Sequence, residues 1–330
     1  MQVLITGADG LLGSNLVREL LGQGHAVRVF LQPGSRSTTL AGLDLTKIEG
    51  DLLDGGPVLS SSIKGCDAVF HLAAITDPRA DAGLTWKVNY EGARKVLDAC
   101  LDAAVKKLVF VGSASSFQFG TLDRPGDETC PFPDAYRGYP YMESKHRAAA
   151  LVKDYVREKG LDAVIVCPTF MIGAYDSRPS SGEIIRQFIV RKPPAVPPGG
   201  RSFVCVQDAA RAAAAALTKG RRGETYILGG HNLTYMDFFT KVAEVSGQRP
   251  PKAKLPASLI LLGGAAGSLY EKVTGRPPLI NLPLARLAPL GTYYSSAKAV
   301  AELGMVHTPI EQGIREAIDG LREYGHLPGK

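Results

Sequence analysis

Tyr141 and Lys145 stand four positions apart in the run Tyr-Met-Glu-Ser-Lys, which places them on one face of a helix. A phenol is a poor base at neutral pH. A neighbouring ammonium favours the phenolate, so the pair can pass a proton to or from a substrate oxygen, although desolvation alone would act the other way. Just upstream, Val-Phe-Val-Gly-Ser-Ala-Ser-Ser gathers Ser113, Ser115 and Ser116 at the end of an apolar run. A hydroxyl there can hydrogen-bond a carbonyl oxygen and stabilise the alkoxide that lies between ketone and alcohol. A tyrosine and a lysine on one helix face are commonly ordinary solvated packing. With the serines added, the pattern points to acid–base chemistry at a carbonyl or alcohol carbon.

A second pattern offers a cradle for an anionic cofactor. The segment from Val3 to Gly13, VLITGADGLLG, sets Gly7, Gly10 and Gly13 between an apolar run and a helical pattern that opens at Leu11 and Leu12. Glycine at these places allows a tight turn, close approach of backbone to a pyrophosphate and close helix–strand packing, and the helix N-terminus adds amide donors. The strand-turn-helix context makes this a dinucleotide-binding turn. The second apolar run ends at Leu31-Gln32 without an acid, and Arg36 follows in the loop, with Arg28 and Ser35 as further candidates. A missing carboxylate and a nearby cation favour NADP over NAD, the alternative being that Arg36 is a solvated loop residue. Asp51, in Glu-Gly-Asp-Leu-Leu-Asp, is placed either to accept from an adenine amino group or to cap a turn.

These residues require a scaffold of alternating strands and helices. β-branched runs predict strands over Val3–Thr6, Ala26–Leu31, Thr46–Glu49, Ala68–His71, Lys107–Val111 and Ala163–Pro168. Helical patterns predict Leu12–Leu21, Val58–Ile63, Thr85–Ala103 and Tyr141–Lys159 between them. The fold class is therefore α/β, a Rossmann-type doubly wound parallel sheet, with residues 1–168 as the dinucleotide-binding domain. Residues 169–330 are expected to form a smaller, mostly helical substrate lobe with segments returning to the first domain. Helices are predicted over Ile184–Val190, Asp208–Leu217, Thr234–Ser246 and Thr308–Tyr324, and a strand over Thr225–Leu228.

Composition narrows the function classes. With 330 residues, 45% of them hydrophobic, the chain can bury a large core. Its net charge of +6 is spread along the chain, which suits an anionic cofactor or substrate without making a nucleic-acid footprint. Cys66, Cys100, Cys130, Cys167 and Cys205 fall in separate segments with no CxxC pair, and no histidines have ligand spacing, so neither a disulfide framework nor a metal site is expected. A reducing, cytoplasmic setting fits, and residues 1–6 lack the features of a signal peptide. The apolar stretch Leu255 to Leu269 is interrupted by Pro256, Gly263, Gly264 and Gly267 and is too short for a comfortable membrane span. It reads as a buried or dimer-facing helix, with contact to a membrane surface as the lesser reading.

Taken in order, TGADGLLG, His71-Leu-Ala-Ala74, Asn89 in WKVNYEG, the serine run, PYMESK and Pro168-Thr-Phe-Met-Ile-Gly173 resemble the motifs of the extended short-chain dehydrogenase/reductase superfamily, the NAD-dependent epimerase/dehydratase family. PTFMIG and the later YILGGHNLT are similar to the dihydroflavonol 4-reductase-like branch and bacterial hopanoid-associated sugar epimerase-like relatives. The resemblance implies that Gly7, Gly10, Leu11, Leu12 and Gly13 hold pyrophosphate and that Asp51 and Leu52 meet adenine. It implies that Ala73 and Ala74 line the passage to the nicotinamide, that Asn89 positions the active-site helix within the cofactor-binding set, and that Pro168, Thr169 and Phe170 pass beside the nicotinamide. Tyr141 and Lys145 would be catalytic and ribose-binding, and Ser115 the catalytic serine with Ser113 next in line. A homodimer through Trp86–Ala103 and Tyr141–Lys159 is also implied. Gln32 stands where many reductase-like members have arginine, and Gly112 where a small polar residue is usual.

The expected activity is NAD(P)-dependent reduction of a ketone or aldehyde, or oxidation of the alcohol, with Tyr141 moving the proton. The alternatives are a nucleotide-sugar epimerase or dehydratase, which would need diphosphate-binding cations among Arg186, Arg191, Arg201 and Arg276, and a non-catalytic dinucleotide-binding regulator or scaffold.

Overall fold

Aliphatic runs bounded by glycine, proline and charge supply the strands. The computed structural model describes residues 1–328 apart from 55, 78, 277 and 279. The strands are β1 (Gln2–Thr6), β2 (Ala26–Leu31), β3 (Thr46–Glu49), β4 (Ala68–His71), β5 (Lys107–Val111), β6 (Ala163–Pro168) and β7 (Phe170–Ile172). They continue with β8 (Ala195–Val196), β9 (Gly200–Cys205), β10 (Thr225–Leu228), β11 (His231–Thr234), β12 (Ala253–Lys254) and β13 (Gly291–Thr292). The helices are α1 (Leu11–Gly22), α2 (Pro57–Ile63), α3 (Ala82–Trp86), α4 (Ala93–Asp102), α5 (Pro140–Lys159) and α6 (Glu183–Arg191). After them come α7 (Val206–Lys219), α8 (Tyr235–Ser246), α9 (Ala257–Thr274), α10 (Leu282–Leu287), α11 (Ala297–Leu303) and α12 (Ile310–Glu323).

Seven strands form one sheet in the order β3-β2-β1-β4-β5-β6-β10, every neighbouring pair parallel. The order reverses between β1 and β4, where Thr6 lies opposite His71, and ligands of this fold class bind beyond the carboxyl ends at such a point. Alternation along β1 feeds two cores. Val3 and Ile5 pack under α1 and α7 with Leu16 and Ala213, whereas Leu4 faces Val96, Leu97 and Val152 of α4 and α5. The last sheet strand, β10, comes from Thr225–Leu228, after the chain has built β7 to β9 elsewhere.

A second sheet, β11-β9-β13 with β7 also paired to β9, holds the C-terminal lobe together with α6, α8 and α12 around Phe188, Phe203, Phe238 and Ile314. The Pro- and Gly-rich residues 192–201 contain β8, and Gly200 and Arg201 already belong to β9. The single helix expected over Thr85–Ala103 is instead α3, a π-helical turn at Lys87–Gly92 and α4. Of the readings of Leu255–Leu269, burial within this chain is the one corrected. On α9 only Ile260 and Gly264 are buried, and Leu259, Leu262 and Leu269 are exposed. Gly264 is there for packing, since a Cβ on it would come within 2.3 Å of the Ala285 Cβ on α10. Among the described residues no helix is long and apolar enough to cross a membrane.

The sheet meets the glycine turn at one tight point. Gly7 has φ +70°, and a Cβ on it would lie 2.7 Å from the Ala73 nitrogen. Gly24 shares the left-handed backbone, φ +79°, but faces open space. Gly24→Ala should therefore cost only backbone strain, about 1 kcal/mol, and Gly7→Ala should cost more, up to about 3 kcal/mol. Thermal melting of both variants checks this, and equal losses would show that the contact with Ala73 imposes nothing.

Candidate active site

The serines and the Tyr-Lys pair meet at the carboxyl end of β5. The strand stops at Val111, and Ser113 caps a short 3₁₀ turn over Ala114–Ser116 by accepting from the Ser115 amide at 3.3 Å. The Ser113 and Ser115 hydroxyls lie 2.8 Å apart. Gly112 is explained by its back: a Cβ there would sit 2.7 Å from the Cys167 sulfur on β6. Helix α5 starts on Pro140, where a missing amide donor costs least, carries Glu143 in its first turn and Arg157 and Lys159 in its last, and stops at Gly160 with φ +76°. Tyr141 and Lys145 thereby project from the same side of its first turns.

Lys145 is buried, its ammonium donating to the Val111 carbonyl and lying 5.1 Å from the centre of the Phe110 ring. Burial lowers its pKa to about 8. Burial raises that of Tyr141, and a hydrogen bond with the Ser113 hydroxyl opposes the rise. Without a cofactor, desolvation therefore disfavours the charged form of both partners. His71 pairs its Nδ1 with the Thr6 hydroxyl at 2.8 Å and is pushed down to about 3 by burial and then by the Lys145 charge, so it stays neutral. His146 packs on Phe132, ring centres 4.5 Å apart.

Asn89 braces this corner from the π-helical turn. Its Oδ1 accepts from the Ile75 amide at 2.7 Å, and its Nδ2 donates to the Ile75 carbonyl at 3.0 Å and to the Ser144 hydroxyl at 3.1 Å. Ser144 in turn donates to the Tyr141 carbonyl. The loop after β4, with Ala73 and Ala74, is thus fixed against the turn of α5 that bears Tyr141.

The glycine turn fits a dinucleotide pyrophosphate. The first turn of α1 has no side-chain cap and no acid, leaving the amides at Leu11 and Leu12 turned to the cleft side. A Cβ on Gly13 would come within 2.2 Å of the Gly7 carbonyl, whereas one on Gly10 would meet only that same oxygen, at 3.5 Å. Gly13 is therefore demanded by the protein, and Gly10 by the space in front of it. Asp51 accepts from the Leu53 amide through Oδ1, the turn-capping role, with Leu52 half-buried beside it. Pro168 ends β6, the Thr169 hydroxyl donates to the Leu228 carbonyl, and Phe170 opens β7 under the Arg201 guanidinium at 4.8 Å. Arg36 is exposed in the loop after β2. Arg28 is a correction: its guanidinium donates to the carbonyls of Ser62 and Lys64, away from any adenosine phosphate.

Two features escaped the sequence reading. Asp9, inside the glycine turn, accepts from the Ser35 hydroxyl at 2.6 Å and pairs with Arg178 at 2.8 Å, so a loop of the C-terminal lobe reaches over the cradle. An acid in an anion-binding turn calls for a cation partner, and that was the available signal. Arg201 donates to the Tyr235 hydroxyl at 2.8 Å with the phenols of Tyr136 and Tyr294 nearby, a set assembled from distant segments.

The buried ammonium makes a stability prediction. Between the folded value of about 8 and the ordinary 10.5, the unfolded chain binds more protons than the folded one, so Lys145 contributes stability that rises with pH across that window. Below it the burial penalty is present in full. Lys145→Met in cofactor-free protein should accordingly be more stable than the parent near neutral pH, by about 1–4 kcal/mol. The advantage should shrink toward the upper end of the window. Melting curves across that range check it, and a variant less stable than the parent near neutral pH would contradict it.

Comparison with known proteins agrees with this geometry. The family model described as "NAD dependent epimerase/dehydratase family" matches residues 3–229. A Synechocystis sp. protein named for dihydroflavonol 4-reductase is 30% identical over 98% of this chain and 95% of its own. Sterol demethylase protein B of Methylococcus capsulatus is 30% identical over 99% of this chain and 100% of its own. The solved structure of gox2253 superposes with a TM-score of 0.87 at 32% identity, covering 98% of this chain and 99% of that one. The chain belongs to the NAD-dependent epimerase/dehydratase family, as an NAD(P)-dependent oxidoreductase of the extended short-chain dehydrogenase/reductase type.

Proposed function

We propose that Tyr141, Lys145 and Ser115 carry out reduction of a ketone or aldehyde on an apolar small molecule, or oxidation of the corresponding alcohol. The observation that carries this reading is the convergence of the Ser113–Ser115 hydroxyl pair, the Tyr141 phenol and the buried Lys145 ammonium at the carboxyl ends of β4 and β5. In this reading residues 1–168, with the returning β10, hold the dinucleotide, and residues 169–330 supply the substrate walls. The chain acts as a homodimer through α4 and α5. NADP remains the favoured cofactor, with Arg36 free to turn toward a 2′-phosphate.

A bound nicotinamide dinucleotide supplies or accepts the hydride. Tyr141 gives its proton to the carbonyl oxygen as charge develops there. Ser115 donates a hydrogen bond to the same oxygen, and Ser113, bonded to both Ser115 and Tyr141, fixes the two donors relative to each other. Lys145 holds ribose hydroxyls and keeps positive charge beside the phenol, so that the phenolate formed is stabilised until it is reprotonated. His71, held neutral and bonded to Thr6, takes no proton in this scheme.

The arginines favour an apolar substrate over a nucleotide sugar. A pocket of about 340 Å³ adjoins the start of α5 and is lined by Gly138, Tyr139, Pro140, Asn281, Pro283, Leu284 and Arg286. Of the arginines a diphosphate would require, Arg186 is paired with Glu183 at 2.6 Å, Arg191 and Arg276 are exposed, and Arg201 alone lies among the tyrosines.

Screening apolar ketones and aldehydes against nucleotide sugars identifies the substrate, and single-turnover hydride transfer then reads the roles. Tyr141→Phe should slow the chemical step by about 100- to 10,000-fold with dinucleotide affinity kept. Hydride transfer at the parent rate by Tyr141→Phe would overturn the assignment.

A further inference from the structure

Among the described residues, helix α9 carries an extended run of apolar surface without a covering partner. No charged side chain occurs from Leu255 through Tyr270. Leu255, two residues before the helix, and Leu259, Leu262, Ala266, Leu269 and Val273 within it recur at alternating steps of four and three, which lines the five helical ones along one side. That side points away from the protein: Leu262 is 67% exposed, Leu269 63% and Val273 76%. The opposite side is spent on α10 and the segment leading into it: a Cβ on Gly264 would meet Ala285 and Leu282, and one on Gly267 the Ile280 carbonyl. Cations mark both ends of the stripe, Lys252 and Lys254 before it and Lys272 and Arg276 after it, all exposed. The one acid in the helix, Glu271, lies seven residues beyond Gly264 and so on the packed side.

A stripe with this spacing could also pair with its twin on a second copy, and the charges decide between the two occupants. Parallel pairing sets Lys252 and Lys254 against themselves. Antiparallel pairing sets them against Lys272 and Arg276. Either arrangement places like charges together with no acid on the exposed side to relieve them. An anionic lipid surface satisfies the apolar stripe and both cationic ends at once.

We propose that α9 lies flat on an anionic lipid surface, its Leu255-to-Val273 stripe at the boundary of headgroups and acyl chains and its four terminal cations against lipid phosphates. The helix is an interfacial anchor, since no described helix is both long and apolar enough to span. Its packed partner α10 carries Pro283, Leu284 and Arg286 of the pocket before Tyr141, so the anchor sets that opening beside the lipid. Delivery of an apolar carbonyl compound from the lipid then follows, a step that rests on the function proposed above.

The test is sedimentation of the full chain with vesicles of phosphatidylcholine, with and without phosphatidylglycerol. The parent should pellet with the mixed vesicles and be released by salt. Lys252→Gln and Lys254→Gln should each weaken binding about five-fold, and Leu262→Glu with Leu269→Glu should remove at least nine-tenths of it. These positions are exposed, so circular dichroism and dinucleotide binding should match the parent. Failure of the parent to bind mixed vesicles, or retention of binding by the leucine variant, overturns the proposal. So does a change of oligomeric mass in light scattering caused by the leucine variant, which would identify a second copy as the occupant. The readout does not involve turnover, so an inactive enzyme that binds vesicles would count against the catalytic reading alone.

Discussion

The Lys145 ammonium sits in the protein interior with the Val111 carbonyl and the Phe110 ring as its partners. An interior cation without a carboxylate is costly, and its folded pKa of about 8 records that cost. Much of the surrounding structure serves to keep it there. The parallel sheet ends β5 at Val111, so the carbonyl that accepts from Lys145 is fixed by strand pairing with β4 and β6. Helix α5 begins on a proline, whose fixed φ suits the first helical position next to Tyr141. Asn89 and Ser144 hold the helix against the loop after β4. In the proposed function, stability is given up locally to keep a charge where a developing phenolate would need it, the trade a preorganised site makes.

The parts of this arrangement governed by local chemistry were legible in the sequence. All six strands read from the first half have the observed cores: five are mainly apolar runs buried in the sheet, and the sixth, Thr-Lys-Ile-Glu of β3, is an exposed strand at its edge. Gly7 and Gly13 were legible because backbone conformation and close approach admit no other residue. What depends on distant pairing was not. Strand β9 takes its identity from β7, β11 and β13, which lie on both sides of it in the chain, and its Arg201 meets Tyr235 only after that sheet has formed. The π-helical turn at Lys87–Gly92 has no propensity signature of its own, yet it is what aims Asn89 at Ile75 and Ser144. What covers helix α9 was not legible for a different reason: hydropathy says that a surface seeks cover without saying what covers it.

Two lobes thus divide the chemistry along lines of charge. The sheet presents backbone donors and glycines toward an anion, and the C-terminal lobe answers with Arg178, which spans to Asp9 in the same turn. On the other side of the cleft, prolines and leucines of α10 face Tyr139, whose hydroxyl donates to the Pro283 carbonyl at 3.0 Å. In the proposed function, a polar end for the dinucleotide and an apolar end for the substrate would meet at Tyr141.

Without dinucleotide, burial opposes ionisation of Tyr141, and the central claim is that an oxidised dinucleotide and Lys145 together reverse this. Ultraviolet difference titration of parent against Tyr141→Phe isolates that single phenol from the other tyrosines. With oxidised dinucleotide bound, it should ionise below the ordinary phenol value of about 10, and without dinucleotide above it. A Tyr141 phenol that stays above the ordinary value in the bound protein would contradict the account.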